Sequence, residues 1–169
     1  MCVTHPAKSH LLFVMDLKES DRLVCRKAIV KVDEIKPEAS INRIVIVEKS
    51  NGKIRLCLDP SDMNSQIVRK PKIGLNIEEV ASNLRDKIVF TVFDLAKGYH
   101  HLKLNDRSSW KCCFATPFEV YRFIVLPYGL SNSQDLFQDE VEKHFAGIDN
   151  VVICHDDMIA SGRTRQGCC

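Results

Sequence analysis

Val151-Val152-Ile153-Cys154-His155-Asp156-Asp157-Met158-Ile159-Ala160 decides how this chain is read: two adjacent carboxylates stand between two short apolar runs. Runs of this length around a polar pair read as buried β-strands flanking a tight turn. Neighbouring aspartates close to low dielectric resist ionising together. A divalent cation reverses that sign, because it favours the charged form of both. A third carboxylate in a similar setting lies upstream: Asp94, which ends Ile88-Val89-Phe90-Thr91-Val92-Phe93. Strand–Asp followed by strand–Asp–Asp–strand is the pattern a two-metal phosphoryl-transfer site requires. Each aspartate alone reads equally well as a strand-end or turn residue; the three in this order point to metal.

Composition sets the bounds. A chain of 169 residues, 45% hydrophobic and 27% charged, is that of an ordinary globular protein, one domain or two small lobes. Its net charge of +2 says little, but the distribution says more. Between Arg43 and Lys72 stand seven basic residues against three acidic ones, an excess that suits a phosphate-facing surface. The eight cysteines contain no Cys-x-x-Cys, and Cys112-Cys113 and Cys168-Cys169 are adjacent, which suits neither structural zinc nor an ordinary disulfide. This usage indicates a reducing, intracellular compartment, cytoplasmic and/or nuclear. Leu11 to Leu17, interrupted by Asp16, is too short for a signal peptide or a membrane span, so no membrane partner is expected.

Along the chain, residues 1–40 show no clear period and read as an arm or linker. Ile44 to Lys49, Ser50-Asn51-Gly52 and Lys53 to Leu58 predict a β-hairpin, with Asn-Gly supplying positive φ. In its second strand Lys53 and Arg55 share one face, and Ile54, Leu56 and Leu58 the other. A short helix is expected within 59–68, and another from the Asn76 cap through Leu84. Strand 88–94 then delivers Asp94, and Leu95-Ala96-Lys97-Gly98-Tyr99 turns sharply. Strands are expected near 101–104, 111–116 and 121–126, with Asn105-Asp106 and Thr116-Pro117 as turns. A helix from Ser131 to about Phe145 follows, with a Ser131–Gln134 capping box, an apolar face of Phe137, Val141 and Phe145, and a stop at Gly147.

The motifs form a recognisable series: Asn51 to Pro60 and on to Asn64; Phe93-Asp94-Leu95-Ala96-Lys97-Gly98-Tyr99-His100; Thr116-Pro117-Phe118 with Tyr121-Arg122-Phe123; Leu126-Pro127-Tyr128-Gly129-Leu130; Phe137-Gln138; and the Asp-Asp hairpin. In this order and spacing they resemble the reverse transcriptase of gypsy-type LTR retrotransposons, over roughly residues 40 to 164. The resemblance implies an α+β fold, the fingers and palm of a right-hand polymerase, with an antiparallel palm sheet packed on helices and the thumb absent. The fingers would come from 41–70 and 102–132, the palm from 71–101 and 133–169.

It also implies roles. Asp94, Asp156 and Asp157 would be the catalytic metal ligands for two Mg²⁺ ions, with Mn²⁺ as a substitute. Arg55, Lys53 and Lys49 would contact the incoming triphosphate, Tyr99 would exclude a 2′-hydroxyl, and Tyr128 would line the nucleotide pocket. Cys154 and Gln138 would lie along the nucleic acid. Implied partners are an RNA or DNA template with its primer, deoxynucleoside triphosphates and other segments of a Gag-Pol-type polyprotein. His100 and His101, neighbours on a presumed strand, point to opposite faces and read as structural.

The chain departs from the family at Cys154 (an aromatic position), His155 (aliphatic), Ser61 (arginine), Glu119 (a turn glycine) and Gln134 (proline). It ends before the remaining palm strands and thumb, which gives the reading of a fragment or decayed copy. Two other functions fit: a remnant that binds nucleic acid or protein without turnover, and a metal-dependent nuclease using Asp94, His155, Asp156 and Asp157.

Overall fold

The computed structural model describes residues 19–48, 54–68, 77–154 and 157–164, with the backbone alone at 77 and 154. The chain forms two compact units, each made of two separated stretches: Met1–Ile67 with Tyr99–Ser131, and Val68–Gly98 with Asn132–Cys169.

The first unit is built on a five-stranded sheet of order β1-β6-β5-β2-β3. β1 is Ile29–Lys31, β2 Ile41–Glu48, β3 Ile54–Asp59, β5 Cys113–Ala115 and β6 Val120–Phe123. β2 and β3 pair antiparallel, from Arg43 opposite Asp59 to Glu48 opposite Ile54. That is the predicted hairpin, although its Asn51-Gly52 turn lies outside the described residues. Alternation places Leu56 and Leu58 in the core and Arg55 and Cys57 on the other face of β3. β5 joins β2 in parallel and β6 antiparallel.

The core of this unit gathers Leu23, Ala28, Ile29, Leu56, Leu58, Cys112, Phe114, Phe123 and Val125. Phe114 and Phe123 are fully buried with ring centroids 5.3 Å apart, and each burial stabilises by about 1.5–3 kcal/mol. Burial also pushes the Cys112 thiol up to about 12, so it behaves as a small hydrophobe.

Three expectations are corrected here. Residues 19–32 are no loose arm: helix α1, described over 19–25, buries Leu23, and β1 pairs with β6 while burying Ile29. The pieces are too short to show a period, and tertiary packing supplies their order. Asn105-Asp106 is no simple turn but the start of α4 (Asp106–Lys111), because the Asn105 carboxamide accepts the Ser108 N–H at 2.8 Å. The expected strand at 101–104 is replaced by a 3₁₀ turn, Gly98–His101, and one bridge between Lys103 and Val125.

α4 is fastened by charge and ring. Arg122 lies 4.5 Å from the Trp110 ring centroid and donates to Asp106 at 2.8 Å and to Ser109 Oγ at 3.1 Å. That hydrogen bond, helped by the charge of Lys36, holds the Asp106 carboxyl below its usual range. Glu119, where the resemblance led to a turn glycine, needs no left-handed backbone. The Thr116 hydroxyl closes the turn instead, accepting from the Glu119 N–H at 3.0 Å and donating to its carbonyl at 2.8 Å. The Glu119 side chain pairs with Lys31 at 2.8 Å.

The second unit holds a three-stranded antiparallel sheet of order β4-β8-β7, with β4 Val89–Asp94, β7 Val151–Cys154 and β8 Asp157–Gly162. α3 (Ile77–Asn83) precedes β4; the cap expected at Asn76 lies outside the described residues. α5 (Ser133–Phe145) packs on β7 and buries Phe137 and Val141, one helical turn apart. The helix begins two residues later than expected. Asn132 occupies the cap position without a side-chain cap bond, and the Ser131 N–H is committed to Asn64 Oδ1 at 2.9 Å. Among the described residues no helix is long and apolar enough to cross a membrane.

Candidate functional site

β4 ends at Asp94 because the apolar run ends there, and β8 begins at Asp157. The antiparallel register puts these two residues directly opposite each other. Directly opposed residues share one face of a sheet, with Cα atoms roughly 4.5–5.5 Å apart. Both are exposed. Two like charges so placed oppose sheet formation, and a divalent cation is the simplest agent that turns the opposition into cohesion. The structure therefore brings together two of the three predicted ligands.

His155 and Asp156, the third predicted ligand, lie outside the described residues. Of the aspartate pair, Asp157 opens β8 and Asp156 is not among the described residues. Cys154 is the β7 residue opposite Asp157, its side chain outside the description. Among the described residues no group of three or more His, Cys, Asp or Glu side chains stands ready for a metal ion.

The turn that follows Asp94 is tight. Lys97 adopts φ +59° and the Gly98 N–H donates to the Leu95 carbonyl at 2.9 Å. A Cβ on Gly98 would lie 2.4 Å from Phe137 Cζ, so the sharp turn depends on glycine lying against a buried ring. Gln138, the next helix residue, is 8% exposed, and its amide donates to Glu142 at 2.7 Å.

In the first unit a second group of predicted residues meets. The Arg55 guanidinium lies 4.3 Å from the Tyr128 ring centroid, and the Tyr99 ring lies 4.8 Å from Tyr128 on an inclined plane. His100 approaches the same ring at 5.3 Å, so its role is aromatic packing. A guanidinium over an aromatic face is attracted by the ring quadrupole while its N–H fork stays available to oxygen acceptors. Lys49 and Lys53 lie outside the described residues. Ser61, where the resemblance led to an arginine, donates to Asp59 Oδ1 at 2.6 Å and supplies a neutral tie in its place. A polar cavity of ≈ 220 Å³ lined by Ile41, Asn42, Arg43, Asp59, Ser61 and Asp62 holds none of the residues predicted to bind metal, nucleotide or nucleic acid.

No family model matches the chain. Curated relatives are polyproteins. The chain is 28% identical over 122 residues to a putative enzymatic polyprotein of cassava vein mosaic virus, a match covering 70% of this chain and 18% of the relative. It is 29% identical over 127 residues to the transposon Tf2-3 polyprotein of Schizosaccharomyces pombe, covering 73% and 9%. The chain therefore spans less than a fifth of these relatives. Among solved structures, native prototype foamy virus protease–reverse transcriptase superposes with a TM-score of 0.71 at 22% identity, over 88% of this chain and 19% of the other. A foamy viral protease–reverse transcriptase in complex with double-stranded DNA gives 0.67 at 23%, over 85% and 25%.

Proposed function

From a reverse-transcriptase fold in a chain akin to retroelement polyproteins, we propose that the second unit is palm, the first fingers, and the whole a segment of an RNA-directed DNA polymerase. The observation that carries this reading is the register of β4 against β8, which sets Asp94 against Asp157, the sequence neighbour of Asp156. The donor set is all oxygen and all acidic, which fits Mg²⁺ or Mn²⁺. Asp94, Asp156 and Asp157 would hold the ions. When bound, two such ions lower the pKa of an attacking hydroxyl and neutralise a leaving pyrophosphate.

The chain's own residues do the rest by binding and orientation, since phosphoryl transfer asks little covalent chemistry of a protein. Arg55 offers a planar fork to phosphate oxygens, with Lys49 and Lys53 from the same hairpin adding charge. Tyr99 and Tyr128 supply a rigid aromatic wall, Tyr99 excluding a 2′-hydroxyl by its bulk. Cys154 and Gln138 are assigned to the nucleic-acid path. Partners are template and primer, deoxynucleoside triphosphates and neighbouring polyprotein segments; a gypsy-type LTR element, read in the cytoplasm or nucleus, is the proposed source.

The test is primer extension on an RNA template with Mg²⁺ and deoxynucleotides, comparing the chain with Asp156→Asn. Extension by the parent chain and its loss in the variant are expected. Extension that survives the substitution contradicts the metal assignment, and template binding without incorporation returns the chain to the class of binding remnants.

A further inference from the structure

The cluster of Arg55, Tyr99 and Tyr128 stands where it does because of a fourth residue, and we propose that Asn64 is the positioning residue of this nucleotide platform. Asn64 sits on α2 (Ser61–Gln66), a helix too short to hold itself by propensity. Its base is firm nonetheless: Pro60 is fully buried, Met63 packs on the core, and the Asn64 N–H donates to the Pro60 carbonyl at 2.7 Å.

From there the carboxamide reaches across the chain to both sides of one turn. Its Nδ2 donates to the Gly129 carbonyl at 2.9 Å, and its Oδ1 accepts the Ser131 N–H at 2.9 Å. The same turn is tied to β3 from its other end, where the Leu58 N–H donates to the Tyr128 carbonyl at 2.8 Å. Gly129 presses so closely on β3 that a Cβ would fall 1.8 Å from the Leu58 carbonyl oxygen, and its φ of +111° is open only to glycine. Tyr128 therefore hangs from a backbone pinned at three points, two of them Asn64. β3 also carries Arg55, so pinning the turn to β3 is what sets ring and guanidinium in register. Asparagine suits the task because a single planar amide presents one donor and one acceptor. The alternative, a helix residue that merely faces water, leaves both long-range bonds without explanation.

The part of this inference that concerns nucleotides rests on the polymerase reading; the part that concerns geometry does not. Two measurements on the full chain separate them. The first is NMR of the Tyr99–Tyr128 ring contacts together with hydrogen exchange of the Ser131 amide. Asn64→Ala should weaken the ring contacts and speed Ser131 exchange, whereas Asn64→Asp, which keeps the acceptor, should weaken the ring contacts while leaving Ser131 protected. The second is titration with deoxyadenosine triphosphate and, separately, with Mn²⁺. Both variants should lose roughly tenfold in nucleotide affinity with Mn²⁺ affinity unchanged, a split that general unfolding would not give. Should Asn64→Ala fail to fold, Asn64→Asp carries the test alone. Ring contacts that persist in a folded variant overturn the positioning role. Nucleotide affinity that persists while the contacts are lost overturns the link to the platform. Absence of nucleotide binding by the parent chain overturns the polymerase reading, and the NMR arm still decides what Asn64 does.

Discussion

In the unit that carries Arg55, Tyr99 and Tyr128, the site is held by attraction at each step: a guanidinium over a ring, ring against ring, and a turn pinned to β3 and α2. In the unit that carries Asp94 and Asp157, the sheet register sets two like charges against each other at the ends of their strands. The first arrangement is cohesive as it stands; the second leaves two like charges opposed, an opposition that a bound cation would relieve. The difference teaches that the guanidinium–aromatic cluster is ordered by packing and hydrogen bonds, whereas the carboxylate pair is ordered by strand register.

The comparison breaks most visibly at two glycines. Gly129→Ala would drive a Cβ into the Leu58 carbonyl at positive φ, a contact with backbone on both sides that cannot relax cheaply. It should destabilise the first unit by more than about 3 kcal/mol in urea unfolding, and a loss under about 1 kcal/mol would mean the turn is not pinned as described. Gly98→Ala meets a side chain rather than backbone, the buried Phe137 ring, which can shift. Its cost should be smaller, about 1–3 kcal/mol, and Gly98→Ala combined with Phe137→Leu should recover part of it. A third change should go the other way. Without metal, Asp157→Asn relieves the opposition to Asp94 and should stabilise the chain by about 0.2–1 kcal/mol, seen as a small rise in Tm. A fall in Tm would show that the pair is already compensated by other groups.

How much of this was legible in the sequence follows from the range of the interactions. The alternation in Ile54 to Asp59, the apolar run before Asp94 and the fourfold spacing of Phe137 and Val141 are local patterns, and each led to the right element. Residues 19–32 carry no such pattern, yet Leu23 and Ile29 are core; their burial depends on β6 and Phe123, almost a hundred residues away in the chain. Asn105 was visible as a polar residue before a turn, but whether it caps a helix depends on Trp110 finding Arg122. Ser131 looked like a cap because Gln134 lies three residues on; Asn64 takes its N–H instead. For the site, Asp94 and Asp157 were readable as strand-end acids, but their register is a long-range pairing of β4 with β8 that no local signal sets. Tyr99 and Tyr128 were picked by resemblance alone and Arg55 by resemblance and its place on the basic face of the hairpin; the direct stacking of Arg55 on Tyr128 had no local signal. Asn64 was seen only as the end of a motif, because both partners of its carboxamide lie more than sixty residues away.

The central claim is that Asp94 and Asp157 face one another to share divalent metal. Electron paramagnetic resonance of Mn²⁺ titrated into the chain tests it without need of template or turnover. Saturable Mn²⁺ binding that Mg²⁺ competes away, and that falls sharply in both Asp94→Asn and Asp157→Asn, is the result this account predicts. Binding that is absent from the parent chain, or that both variants retain in full, would contradict it.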